Sequence, residues 1–347
     1  MTPRERVLTA LAGDRPDSIP CALGFFQQPL FGARDGDELF DTDVRFVEFD
    51  PSPDQEDFFS YLDSLPRDVH VGSVAQLRVY EEWGYHPEHP GVHPLARGGA
   101  IGEFVERIAA GLADPRRREG LADDVRRLHD RGLAVAGAPP HLGGELFESA
   151  YRLRGFQRFM TDLLERPALV DYLLDQLASM SLRNCVAIVE AGVDVLLLDD
   201  DVAGSHGMLI SPATWQRFFK PRMVQLIDTT TQVRPEVRVF YHSDGDFTRL
   251  LPELVEIGVD VLNPLAPDCM DAAAIRRTLG PRPAFWGTVG TAASWDTGTP
   301  EEIRRQVARS VAEVGPAGLV LSPAYDVDFT PRANIEAFIE AVREIEG

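Results

Sequence analysis

An α/β chain closed into a (β/α)8 TIM barrel is the fold this sequence predicts, on three observations. Apolar runs alternate with helical patterns from about residue 133 to the C-terminus. The runs are apolar without a polar alternate face, as parallel strands are when helices cover them. No G-x-G-x-x-G follows the first strand, which favours a closed barrel over a doubly wound nucleotide-binding sheet. With 347 residues, 44% of them hydrophobic, the chain has ample core for one barrel. We expect a single domain over 1–347, with 50–110 as a loop-rich insertion forming an N-terminal excursion over the barrel mouth.

The elements follow in order. "TPRERVLTALAG" carries a Thr cap, a first-turn Pro, apolar residues at helical spacing and Gly13 as a stop. "SIPCALGF" and "VRFVEF" read as short strands. The stretch from Asp50 to about Gly102 is rich in Pro, Gly, His and aromatics; His86, His89 and His93 stand there in a proline-broken loop better suited to a solvated excursion than to a metal. Six further strands are "LAVAGA" (133–138), "VDVLLL" (193–198), "VRVFY" (237–241), "VDVLN" (259–263), "AFWG" (284–287) and "LVLS" (319–322). Helical patterns such as 155–180, 211–228 and 299–314 separate them. The count is eight.

Composition excludes several classes. Three cysteines, Cys21, Cys185 and Cys269, at wide spacings suit neither a disulfide scaffold nor a thiolate metal site, and point to a reducing compartment. The N-terminal stretch is charged throughout, unlike a signal peptide, and no run approaches 18 apolar residues. A cytoplasmic protein that does not enter membranes is expected. The formal net charge of −21 repels phosphate backbones, so nucleic acid is not an expected partner.

In such a barrel, residues just past each strand converge on one rim. There the sequence places Phe25 and Gln27 after the first strand and Asp50 after the second. Glu148 follows the third strand, and Asp199, Asp200, Asp201 and His206 the fourth. His242 and Asp244 follow the fifth strand, Asn263 ends the sixth, Thr288 follows the seventh, and Tyr325, Asp326 and Asp328 follow the eighth. So many acids close together cannot all stay ionised unless a cation or proton lies among them. Asp246 suits the cap of the helix that follows, which frees Asp244 for the rim. Of the three aspartates, Asp200 is expected to face the pocket.

The blocks "TPRERVLTALAGDRPDSIP", "GVDVLLLDDDVAGSHGMLISPATWQRFFKPRM", "HSDGDFTRLLPELVEIGVDVLNPL", "FWGTVGT" and "SPAYDVDFTPRANIEAFIEAV" resemble the uroporphyrinogen decarboxylase superfamily across nearly the whole chain outside 50–110. The resemblance implies a β/α barrel and leaves two chemistries open. True porphyrinogen decarboxylases place an arginine-containing segment after the first strand and an aspartate near the second. Here the segment is "GFFQQPLFG", without arginine, and Asp50 alone could stand for the aspartate. The corrinoid-linked methyltransferase-like branch holds zinc with His-x-Cys after strand five and a Cys after strand eight. This chain keeps His242, has Asp244 at the first Cys position, and has Asp326 (or Asp328) near the second.

That comparison implies an exchanged ligand set of His242, Asp244, Asp326 and Glu148, which the aspartates 199–201 could complete. Such harder ligands suit zinc, with iron or manganese possible. Asp200, Tyr325 and Asn263 are the expected catalytic groups, and Phe25, Gln27, Asp50, His206 and Thr288 the expected substrate contacts. The implied activity is metal-assisted methyl transfer or demethylation on a small-molecule substrate. A corrinoid, on a partner carrier protein or as substrate, is implied with the methyl donor and acceptor left open, and a homodimer is the implied assembly. Decarboxylation of uroporphyrinogen or a smaller carboxylated substrate is one alternative, and a non-catalytic small-molecule-binding barrel is another.

Overall fold

The computed structural model describes residues 1–50, 114–154 and 156–345. The expected insertion at 50–110 therefore lies almost wholly outside the described residues, together with His86, His89 and His93. Seven strands pair in parallel in the order β1-β2-β3-β6-β7-β8-β9. They are β1 (Val44–Glu48), β2 (Ala134–Ala138), β3 (Val195–Asp199), β6 (Arg238–His242), β7 (Val261–Asn263), β8 (Ala284–Trp286) and β9 (Leu319–Val320). A small antiparallel hairpin, β4 (Ala203–Gly204) with β5 (Gly207–Met208), projects beyond β3.

The eighth stave is the first predicted strand, reduced to one parallel bridge between Cys21 and Leu321. Ala22 N–H donates to Leu321 O and Leu321 N–H to Pro20 O, joining this stave to β9. On its other edge Asp43 N–H donates to Cys21 O, while the Asp43 side chain takes the Cys21 N–H. A side chain thus replaces the ladder, and the barrel closes without a regular strand there. The fold is a (β/α)8 barrel.

Period-two alternation sorts each strand into two apolar faces. Val44, Phe46, Ala134, Ala136, Val195, Leu197, Phe240, Val261, Ala284, Trp286 and Val320 fill the barrel interior. Val135, Leu196, Leu198, Val239, Tyr241, Leu262, Phe285 and Leu319 face the helices. Helix Pro3–Leu11, begun by a Thr2–Glu5 capping box, packs Val7 and Leu11 against the interior cluster. The helical pattern expected at 155–180 is broken by Pro167, which ends Phe156–Glu165 and starts Pro167–Glu190.

Helix Pro3–Leu11 is clamped to the start of β3. Buried Asp194 accepts from Arg4 (2.8 and 3.0 Å) and from Val135 N–H (3.0 Å), and lies 2.9 Å from His129 Nε2. Asp194→Ala strips the acceptor from a buried N–H and from a guanidinium. It is expected to cost about 3 kcal/mol, read as a lower urea midpoint.

Candidate metal centre

The inward face of each strand continues past its C-terminal end into the mouth. On β3 the inward residues Val195 and Leu197 lead to Asp199 and Asp201; on β6 Phe240 leads to His242 and Asp244. One ligand atom each from Asp199, Asp201 and His242 lies within 4.8 Å of the others. His242 Nε2 is 3.6 Å from Asp201 Oδ1 and 3.7 Å from Asp244 Oδ1. The Asp244 N–H donates to Asp201 Oδ1 at 2.6 Å, tying the two loops together.

The tautomer of His242 follows from its neighbours. Asn263 Nδ2 donates to Trp286 O at 2.9 Å, which turns Asn263 Oδ1 toward His242 Nδ1 at 2.6 Å. A carbonyl oxygen only accepts, so Nδ1 carries the hydrogen. In the neutral ring Nε2 then presents its lone pair to two carboxylates, at distances too long for hydrogen bonds. A ring nitrogen facing two anions calls for a cation or a proton between them. The outer hydrogen bond to Nδ1–H is also how metal-ligating histidines are held. Phe25 stacks on the other side of the ring, with centroids 4.0 Å apart.

The acids show the same stress. Burial, followed by the charges of Asp201, Glu148 and Asp200, pushes the Asp199 carboxyl well above its ordinary value, and its Oδ1 is buried without a partner. Burial and the Asp201 charge push Asp244 up to about 7, against the opposing pull of His242. His141 stands nearby, its Nε2 3.9 Å from Asp199 Oδ2. Burial and then the charge of Arg152 lower it to about 3. Gly143 N–H donates to His141 Nδ1, so the His141 hydrogen is on Nε2.

Gly245 permits this arrangement. Its φ is +82°, and a Cβ there would lie 2.4 Å from the Gly204 carbonyl. The loop after β6 thereby lies on the β4–β5 hairpin, where Asp246 N–H donates to Gly204 O. Asp246 accepts from Thr248 N–H at 3.0 Å, but the cap positions of the turn Thr248–Leu250 and of the helix Leu251–Glu256 fall on Phe247 and Leu250, so the expected helix cap is not made by Asp246.

Several expected site residues lie elsewhere. Asp200, on the outward register, accepts from the N–H groups of Leu146, Phe147 and Glu148 and so begins helix Phe147–Arg154. Asp200→Ala is expected to cost about 2 kcal/mol in denaturant unfolding while leaving metal content unchanged. Glu148 is held by Arg152 and by the Tyr151 hydroxyl (3.1 Å) rather than standing in the His242 group. Tyr325 donates to Asp268 at 2.6 Å. Thr288 is paired with Ser310 at 2.6 Å.

His206 sits exposed in the β4–β5 turn, and Asp50 is exposed, with its backbone paired to Arg117. Asp326 lies outside the close group, although its carboxyl is raised, first by loss of solvent around it and then by the charge of Asp328. Gln27 is half-buried on the segment after the first stave. Asp199 and Asp201, not singled out among the three aspartates, were marked by the inward register of Val195 and Leu197.

These features define a class: a β/α barrel whose mouth, at the C-terminal ends of its strands, carries an imidazole fixed among carboxylates. The chain belongs to the uroporphyrinogen decarboxylase (URO-D) family, whose pattern matches residues 133–345. A uroporphyrinogen decarboxylase of Synechococcus sp. is 28% identical over 52% of this chain and 49% of its own length. Methylcobamide:CoM methyltransferase MtaA of Methanosarcina barkeri is 26% identical over 53% of this chain and 51% of its own. The chain thus spans about half the length of these curated relatives. A methyltransferase from Methanosarcina mazei shares the fold, with TM-score 0.65, 16% identity and 99% of both chains covered. Among the described residues, no helix is long and apolar enough to cross a membrane.

Proposed function

We propose that this chain is a metal-dependent enzyme of the methyl-transferring kind, acting in methyl transfer or demethylation as a single cytoplasmic domain. His242 Nε2, Asp201 and Asp199 would hold the metal, with Asp244 at its margin. This revises the ligand set expected from sequence, keeping His242 and Asp244 and replacing Glu148 and Asp326. The observation that carries the reading is the His242 Nε2 held toward Asp201 and Asp244, 3.6 and 3.7 Å from their oxygens, by the Asn263 hydrogen bond to Nδ1.

One nitrogen and several carboxylate oxygens suit zinc, with iron(II) or manganese as alternatives. When bound, such an ion supplies Lewis acidity, making an acceptor such as a thiol nucleophilic near neutral pH. The chain's own residues bind and orient. Asn263 fixes the ring, Phe25 shields one of its faces from water, and the acidic mouth disfavours anionic ligands. A corrinoid, free or on a carrier protein docking at the mouth, would be the methyl donor, supported by the methylcobamide-dependent relative.

The test offers the purified protein methylcobalamin with a small thiol, and separately uroporphyrinogen. Metal-dependent loss of methylcobalamin absorbance with formation of the methyl thioether is the expected result. Metal-independent release of CO2 from uroporphyrinogen, without methyl transfer, would replace this reading with a decarboxylase. Ligand binding with neither turnover would leave a non-catalytic barrel.

A further inference from the structure

Gln28 is 1% exposed, yet neither its Nε2 nor its Oε1 has a hydrogen-bond partner among the described residues. Leaving a buried amide unpaired is costly, so such a group invites explanation. Its backbone is well used: Gln28 O accepts from Gly36 N–H at 2.7 Å, which fixes the side chain's root. The amide rests over Gly24, with Nε2 3.1 Å from where a Cβ would stand; any larger residue at 24 would crowd it.

The position of this amide ties it to the mouth. Gly24 O accepts from Trp286 Nε1 at 2.9 Å, Trp286 O accepts from Asn263 Nδ2, and Asn263 Oδ1 faces His242. Phe25, the next residue after Gly24, stacks on the His242 ring. The adjoining β9 stave adds a second orphan. Ser322 continues the inward face of Val320, is fully buried, and its Oγ has no partner.

The chemistry of an unpaired amide restricts its ligand. It presents a donor and an acceptor side by side and carries no charge. A carboxylate would satisfy only the NH2 and would face Asp199, Asp201 and Asp244; an ammonium would satisfy only the carbonyl. A neutral edge with one donor and one acceptor satisfies both, as in a primary amide or a lactam. We propose that Gln28 reads such a neutral donor–acceptor edge on the substrate. The proposal rests on the reading above only for placing the reaction in this mouth.

Gln28→Met keeps similar volume and removes the amide. The probe is 2-pyrrolidinone, titrated into zinc-loaded and zinc-stripped protein and followed through the Gln28 side-chain NH2 resonances and by calorimetry. Wild type is expected to bind it with a Kd of about 1 mM, with those resonances shifting, and Gln28→Met about tenfold more weakly. Sodium acetate is expected not to compete. The variant's metal content should be unchanged, and its Tm should hold or rise because an unsatisfied amide has gone.

Equal binding by variant and wild type would overturn the proposal. So would a lower Tm in Gln28→Met with unshifted NH2 resonances, since the amide would then be bonded within the fold. Discrimination by Gln28 in a protein that takes up no zinc would keep this subsite and remove the metal centre instead.

Discussion

His242→Ala is expected to release the metal. Protein carrying about one equivalent should fall below about a tenth of one after the same desalting, and turnover should be lost with it. The reason is geometric. Nε2 is the one nitrogen among the three close ligand atoms, and its orientation is fixed by Asn263 and by Phe25. Removing the ring leaves Asp199 and Asp201 without a neutral ligand to gather the ion, and strands the Asn263 carbonyl. Asn263→Ala, which keeps the ligand but frees the ring to rotate, should weaken affinity about 10- to 100-fold. Elemental analysis of both variants beside wild type decides the point. Full metal content in His242→Ala would place the ion elsewhere.

The second large effect is in pH. In the metal-free protein, burial and neighbouring acids hold Asp199 well above its ordinary value and raise Asp244 to about 7; burial also raises Asp200 to about 7. An acid with its folded value above its unfolded one binds more protons when folded, so stability falls as pH rises from about 4 to about 7. Metal-free protein should therefore melt higher at pH 5 than at pH 8. Metal must displace the protons on Asp199 and Asp244, though not that on Asp200, so its apparent affinity should rise about tenfold per pH unit for each proton displaced over the same window. The thermal gap between metal-loaded and stripped protein should widen with pH. A pH-independent affinity would show that these carboxylates take no part.

How far the sequence foretold this differs between fold and site. Each barrel strand described was visible as an apolar run because both faces are buried, one in the barrel and one under helices, whereas the short β4–β5 hairpin was not foreseen. The first stave lost its ladder to something a run cannot reveal, the Asp43 side chain taking the Cys21 N–H. At the site, His242, Asp244, Asn263 and Phe25 were placed together by strand-end logic alone. Asp200 was misread for want of register: counting in twos from Val195 and Leu197 puts Asp199 and Asp201 inward and leaves Asp200 to begin a helix. Glu148, Tyr325 and Thr288 were lost to partners distant in sequence or on a helical turn, namely Arg152, Asp268 and Ser310. No local pattern encodes those pairings. Gln28 stood beside Gln27 past the first stave in the sequence, but only its missing partners set its uncharged amide apart.

The most direct measurement is an anomalous difference map from crystals soaked in zinc or manganese, collected at the metal edge. The account predicts one strong peak bounded by His242 Nε2, Asp199 and Asp201, with Asn263 still bonded to Nδ1. A mouth without a peak, in which His242 donates from Nε2 to a carboxylate, would contradict it.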